Sequence, residues 1–366
     1  MQDQRRITFK IDHMDSLGQG VSKESDKITF ISKTLPGETG EATIVSEKKG
    51  VRFATLDNIS SKAPTRIEPQ CSHFNQCPSC HFLHTSYEQE LHYKSVNLER
   101  LFKKMTHPPL IITPAIRRVQ YRNRLQLHYD LKKRQLGMLD VKNQQIAPIP
   151  QCMIGTSAVT EELKKLYMND SWTQLIDKSQ PLKGHLEIYE GDHQVKVAIN
   201  RPYADGGFTQ VFEEMNQLMK NIIQNWSQKT NTTNLLDLFA GNGNLSQKMN
   251  YSKRLCVDIY SRQTPESFLS QDLYAEDALK KVTTHLRQKD FKTSTILLDP
   301  PRSGFKNLNE WLGAFSPQHV AYVSCDPHTL VRDISSLKNY RISELHLLDF
   351  FPSTFHFETL AFLERI

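Results

Sequence analysis

Cys325 ends the apolar run of 320-VAYVSCDPHTL-330, just where the chain turns into a helix. A buried cysteine would ordinarily lie inside such a strand as a small hydrophobe. Here it stands at the change of direction, and Pro327 suits the first turn of the helix that follows. The unsatisfied N–H groups of a helix N-terminus favour a thiolate beside them. Taken alone, the stretch fits a nucleophile and an ordinary strand-end cysteine equally well.

Four more thiols fall in 71-CSHFNQCPSC-80 and at Cys152. Cys71, Cys77 and Cys80 make a C-x5-C-x2-C run, and Cys152 is the distant fourth. Zinc and an iron–sulfur cluster both accept four thiolates, and the spacing does not separate them. His73, His81 and His84 add a zinc-like flavour. Disulfides are not expected of the six cysteines, because the start, MQDQRRITFK, lacks the apolar core of a signal peptide. A cytoplasmic protein is the expectation.

In 234-NLLDLFAGNGN-244 an apolar strand is expected to run into a glycine-rich turn and then a helix. Small residues such as Gly241 let a backbone approach a ligand closely. The Gly-x-Gly spacing lacks the third glycine of the dinucleotide fingerprint, so a ligand without a pyrophosphate is favoured. The next strand ends in Asp258, placed to accept hydrogen bonds from ribose hydroxyls. That combination favours S-adenosylmethionine, whose sulfonium needs no phosphate cradle. In 296-ILLDPPRSGF-305 two prolines that cannot continue a central strand fix Asp299 at its lip, where open α/β sheets place ligands.

These residues need elements to position them. The 366 residues predict two or three domains, and 38% hydrophobic with 23% charged residues describes a soluble globular chain. Residues 1–150 hold 23 basic against 15 acidic residues, and the remainder 23 against 25. A basic half joined to a near-neutral half points to a polyanion-binding part beside a part with another task. Residues 5–57 alternate apolar and polar between Gly and Pro breaks, which predicts a small β-barrel. Ser86 and Gln89 form a capping-box pattern ahead of a helix carrying Leu91, Leu98, Leu101, Phe102 and Met105. Residues 121–149 and 183–200 alternate again, as a second β-rich region. From about 208, helices and strands alternate: a helix near 211–228, strands at 234–239, 254–260, 295–300 and 319–325, and a closing antiparallel pair at 344–351 and 357–365. This predicts a doubly wound α/β sheet.

Taken together, these motifs closely resemble the RNA 5-methyluridine methyltransferases, in particular the iron–sulfur type that methylates uracil C5 in 23S ribosomal RNA. The resemblance covers nearly the whole chain. DSLGQGV and LPGETGEA resemble turns of a TRAM barrel; FTQV, DLFAGNGN, LLDPPRSG, YVSCDPHTLVRD and FPSTFHFETLAFLER follow the family's methylase motifs in order. The implied layout is a TRAM barrel over 1–60, a central iron–sulfur domain over 61–205, and a Rossmann-like methyltransferase domain over 206–366. The resemblance implies a 4Fe–4S cluster on Cys71, Cys77, Cys80 and Cys152, Cys325 as nucleophile and Glu358 as general base. Gln210, Phe239, Asn244, Asp258, Asp277 and Asp299 take the positions that contact S-adenosylmethionine or lie beside the target base. The chain departs from the family in three places. Phe212 replaces the asparagine of FxQxN, Asp258 replaces a longer carboxylate, and the stretch between Asp258 and Asp277 is short.

The implied chemistry accounts for a cysteine at a strand end. Uracil C5 is a poor nucleophile, and a thiolate adding at C6 makes the ring an enolate that can take a methyl group. The target base must leave its stack to reach the cleft. The basic pieces 117-RRVQYRNR-124 and 132-KKR-134 could hold RNA, and solvated strand edges explain them nearly as well. Ribosomal RNA is favoured as partner, with transfer RNA the alternative; a monomer acting away from membranes is expected. A non-catalytic RNA-binding protein of the same fold is the competing class, with no use for both Cys325 and Glu358.

Overall fold

Period-two alternation builds the first element of the fold. The computed structural model describes residues 5–140, 145–191, 194–202, 209–259 and 267–366. In β1 (Arg6–Met14) Phe9, Ile11 and Met14 turn inward while their neighbours face water. With β2 (Gln19–Ser22), β3 (Ile28–Ser32), β4 (Thr39–Lys48) and β5 (Val51–Ser61) it closes into a barrel, in the order β1-β2-β3-β5-β4. Closure leaves no strand edge unpaired. Phe9, Ile11, Ile31, Ala42 and Ala54 fill the interior. Gly18 and Gly37, in the two turns noted above, have φ of 69° and 85°, which a side chain would resist.

The helix α1 (Tyr87–Phe102) starts where the capping pattern places it, with Ser86 Oγ accepting the Gln89 N–H at 3.2 Å. The three-residue strand β6 (Ile111–Thr113) then joins the large sheet described below. The second β-rich region is a five-stranded sheet in the order β11-β10-β7-β8-β9. It contains β7 (Arg124–Asp130), β8 (Gln135–Asp140), β9 (Gln145–Ala147), β10 (Lys183–Glu190) and β11 (Val195–Ile199). Val159, Leu163 and Leu166 of α2 (Ser157–Tyr167) pack on it, with Trp172, and Cys77 lies in the same core.

The remaining elements are α3 (Glu213–Lys229), β12 (Asn234–Leu238), β13 (Lys253–Asp258), β14 (Phe268–Ser270), α4 (Ala278–Gln288) and β15 (Thr295–Leu298), then α5 (Leu308–Phe315), β16 (His319–Ser324), α6 (Pro327–Ile334), β17 (Tyr340–Leu348) and β18 (Glu358–Arg365). They form an eight-stranded sheet in the order β14-β13-β12-β15-β16-β18-β17-β6. From β14 to β16 all neighbours are parallel; β18 runs antiparallel to both β16 and β17. The central strands are buried on both faces, which is why they read as unbroken apolar runs. The expected Rossmann-like sheet and closing antiparallel pair are present. Strands β15 and β16 stop one or two residues earlier than expected, so Asp299 and Cys325 lie just beyond their ends. No helix among the described residues is long and apolar enough to cross a membrane.

The chain divides into two compact units. One comprises Met1–Asn97, Arg117–Tyr203 and Phe351–His356; the other comprises Leu98–Ile116, Ala204–Phe350 and Phe357–Ile366. The barrel and the central sheet fall in the first. Residues 98–116 join the second because Leu98 and Phe102 lie in its core and β6 extends its sheet beside β17. The expected boundary at 205/206 lies outside the described residues, as does Phe208 of the FTQV motif.

Candidate active site

The glycine turn follows β12 in a conformation that few residues tolerate. Phe239, Gly241 and Gly243 have φ of 57°, 53° and 73°. A left-handed aromatic residue costs roughly 1–2 kcal/mol, so its surroundings must hold it there. The Phe239 ring meets Phe305 edge-on at 5.1 Å and lies 5.5 Å from Tyr274. Gly241 N–H donates to Asp258 Oδ2 at 2.8 Å, tying the turn to the end of β13. A Cβ on Gly241 would meet nothing within 4 Å, so open space adjoins the backbone where a ligand would approach.

Asn244 exchanges two side-chain hydrogen bonds with Asn216 on α3, at 2.9 and 3.3 Å. Asn216 is buried and was not singled out in the sequence. Phe212, which stands where the resembling family has asparagine, is fully buried at the N-terminal end of α3. Asn216 lies one helical turn further on, and brings an amide to Asn244 from there. The signal was present in FTQVFEEMN, four residues beyond the departure. Gln210 is buried just ahead of the same helix. Asp237, in the apolar run LLDLF, is a second missed residue. Its buried carboxyl accepts the Ser246 hydroxyl and is pushed up to about 7, mainly by burial.

Asp277 sits exposed at the start of α4, paired with Lys281 at 2.9 Å. The carboxylate nearer the carboxyl end of β14 is Asp272, whose Oδ1 accepts the Tyr274 N–H at 2.9 Å while the Tyr274 ring packs near Phe239.

Asp299, Cys325 and Glu358 come from the ends of β15 and β16 and the start of β18, three strands adjacent in the sheet. Glu358 is 4% exposed, and burial, then Asp299, raises its pKa well above the carboxylate range. Asp299 is partly exposed yet densely surrounded, and is pushed up to about 7 by burial and by Asp237. Burial pushes the Cys325 thiol up to about 12, and the charges of Glu358 and Asp299 push the same way; Arg302 opposes them. This reverses the expectation that the helix N-terminus would favour the thiolate. The first-turn donor His328 N–H is already taken by Asp326 Oδ1 at 3.0 Å. Burial first, and then two carboxylates contributed by other strands, outweigh what remains of the helix dipole.

The loop carrying Arg302 is braced by Asp333, a residue within the YVSCDPHTLVRD motif. Asp333 Oδ2 accepts the Phe305 N–H and the Tyr322 hydroxyl, both at 2.6 Å. Gly304, at φ 68°, is required there: a Cβ would come within 2.5 Å of Asp333 Oδ2. Arg332 donates to the Ser303 carbonyl at 2.8 Å.

Cys71, Cys77, Cys80 and Cys152 are free thiols lining one small pocket with Phe74, Leu125 and Ile149. Among the described residues, no three His, Cys, Asp or Glu side chains converge as ligands of a single metal ion. His84, part of the zinc-like signal, is fully buried 5.3 Å from the Phe74 ring, and burial holds it neutral by lowering its pKa to about 3. His81 packs edge-on to Phe355 at 4.8 Å. Only His73 of the three joins the thiols in the pocket.

The arginines of 117-RRVQYRNR-124 are largely turned to internal work. Arg118 pairs with buried Glu90 at 2.9 Å, Arg122 Nε donates to the Arg124 carbonyl at 2.9 Å, and Arg124 pairs with buried Glu187 at 2.8 Å. The 132-KKR-134 turn is exposed, and Lys133 borders a pocket of about 530 Å³ with His128, His185 and Lys183.

A family model described as tRNA (Uracil-5-)-methyltransferase matches residues 262–366, the span holding Asp299, Cys325 and Glu358. The chain is 27% identical to the 23S rRNA (uracil(1939)-C(5))-methyltransferase RlmD of Vibrio vulnificus, covering 99% of this chain and 96% of that protein. It is 29% identical to the protein of the same name from a Marinomonas species, covering 98% and 94%. Among solved structures it resembles the Pyrococcus abyssi tRNA (uracil-54, C5)-methyltransferase in complex with S-adenosyl-L-homocysteine. That likeness has a TM-score of 0.67 at 18% identity, over 98% of this chain and 100% of that one.

Proposed function

We propose that this chain, which belongs to the RNA 5-methyluridine methyltransferase family, methylates C5 of a uridine in 23S ribosomal RNA. One observation carries the reading: Cys325, Glu358 and Asp299 meet at the ends of three neighbouring strands. Near-full-length likeness to ribosomal RNA methyltransferases favours that RNA over transfer RNA.

S-adenosylmethionine supplies the methyl group as its sulfonium. The open backbone at Gly241, the fixed ring of Phe239 and the Asp258 carboxylate suit it; Gln210, Asn244 and Asp277 complete the proposed contacts, and Asp272 is a nearer alternative to Asp277. Cys325 Sγ bonds to uracil C6 as its proton passes to a neighbouring carboxylate, with Asp299 partly ionised near neutrality. The ring's C5 gains electron density and would take the methyl group, the donor's S–CH3 bond breaking so that its sulfur leaves as a neutral thioether. Glu358, once ionised, removes the C5 hydrogen as a proton, the C5=C6 bond re-forms and the C6–S bond breaks. Its dry setting makes it a stronger base than an exposed carboxylate.

Cys71, Cys77, Cys80 and Cys152 would hold a 4Fe–4S cluster. Four thiols lining one pocket are the donor set that such a cluster takes. Its role would be to join the 71–80 segment to the loop around Cys152. The TRAM-like barrel and the Lys133 pocket are the proposed RNA-facing surfaces. Mapping 5-methyluridine in total RNA from a strain lacking the gene tests the whole reading. Loss of one 23S site supports it; loss from the transfer RNA T-loop instead would move the substrate, and no loss would remove the function.

A further inference from the structure

Residues Phe351–His356 lead directly into Glu358 and are held mainly through their backbone. Ser353 N–H donates to Glu90 Oε1 at 2.7 Å, and the Ser353 carbonyl accepts the amides of His81 at 2.7 Å and Phe82 at 3.1 Å. The Tyr121 hydroxyl donates to the Pro352 carbonyl at 3.0 Å, and Lys94 reaches the Phe351 carbonyl at 3.4 Å. Glu90 is fully buried and is fixed by Lys94 at 2.7 Å and Arg118 at 2.9 Å. Ser353, also fully buried, has φ of 71°, a left-handed conformation that persists only where the surroundings over-determine it. This is more fixing than an ordinary strand connection needs. A base that removes a proton must be held to within about 0.5 Å, and Glu358 follows this segment by two residues.

We propose that Glu90 and Tyr121 are positioning residues for Glu358, acting through the backbone of Phe351–His356 without touching substrate. The inference rests on Glu358 being the base that clears the covalent intermediate. Loosening the segment would then slow proton removal while sparing the earlier methyl transfer.

The test uses a full-length 23S rRNA transcript carrying 5-tritiated uridine, with methyl-labelled S-adenosylmethionine, in single turnover. Tritium release reports proton removal, label in RNA reports methyl transfer, and SDS-resistant protein–RNA complex reports the uncleared adduct. Tyr121→Phe removes one hydrogen bond without changing the packing, and should slow tritium release about five-fold. Glu90→Gln should slow it by about ten-fold or more. In both, methyl transfer should stay within about two-fold and adduct should accumulate. A parallel fall in both rates, or no change in either, overturns the proposal. Hydrogen exchange of the peptide covering 351–358 gives a readout independent of activity. It should quicken in both variants, and unchanged exchange also overturns the proposal. Wild-type protein and Glu358→Gln serve as controls. If wild type does not methylate, or Glu358→Gln traps nothing, the reading of function or of Glu358 has failed, and the exchange result alone decides the role of the segment.

Discussion

Two regions of this molecule are built around cysteine, and burial raises the thiol pKa in both. At Cys80 the neighbours that add to burial are Cys77, Cys152 and Cys71, with Arg122 opposing them. At Cys325 they are Glu358 and Asp299, with Arg302 opposing. Neither setting favours a lone thiolate, yet the remedies differ. Four thiols gathered in one pocket, with His73 beside them, are the donor set for the proposed bound cationic centre. One thiol beside two carboxylates can instead hand over its proton when a carbon atom arrives. The chemistry of a cysteine is thus decided by what surrounds it, since desolvation is common to both sites.

The sharpest way to break that comparison is at the carboxylate. Glu358→Gln should lower turnover by roughly 10²–10⁴-fold and leave protein covalently attached to methylated RNA. Cys325→Ala should give neither adduct nor methylation, and a denaturing gel with labelled RNA separates the two outcomes. Normal turnover by Glu358→Gln would move the base elsewhere, with His356 the next candidate.

In the other region, Cys80→Ser should abolish bound iron and brown colour in anaerobically purified protein, with a loss of stability of several kcal/mol. Iron and sulfide in similar amounts are expected for the wild type. Colourless wild-type protein holding one zinc would overturn the cluster.

A pH series sharpens the contrast further. Asp237 and Asp299 hold their protons up to about pH 7 in the folded chain, against 3.8 for an ordinary aspartate. The folded state therefore binds more protons between about pH 4 and 7, and this contribution to stability falls as pH rises through that window. Asp299→Asn cannot ionise, so its stability relative to wild type should improve from pH 5 to 7.5, by about 1–3 kcal/mol in denaturant titrations. A relative loss over that range would refute the shift. Alkylation of Cys325 in the free protein should likewise keep accelerating beyond pH 9.

The smallest effect is expected on the barrel. Neutralising exposed Lys48 and Lys49 with glutamine should weaken RNA binding several-fold and reduce the salt slope by about 1–2, leaving S-adenosylmethionine affinity unchanged. Deleting the barrel is a poorer test, because buried Glu38 pairs with Arg66 and Lys33 donates to the Cys77 carbonyl at 3.2 Å.

Much of the fold was legible because period and punctuation suffice for it. The strand and glycine turn at 234–244 and the strand ends at Asp299 and Cys325 could be read locally; the helix expected after that turn is replaced by a run of turns over 241–248, which period and punctuation do not separate from a helix. The raised thiol at Cys325 could not be read locally, since it depends on burial in the folded chain and on carboxylates 26 residues before and 33 residues after it. The arginines of 117–124 read as RNA-holding or merely solvated because their partners, Glu90 and Glu187, lie far off in the chain. Strands β6 and β14, three residues each, are too short to show a period.

The return of Phe351–His356 to the first unit has a consequence for synthesis. Glu90 waits 263 residues for the Ser353 amide, and Tyr121 waits 231 for Pro352. Neither unit can be completed before residues 351–366 have been made, because each includes part of that stretch. A nascent chain halted before Phe351 would therefore keep the interior around Glu90 one donor short.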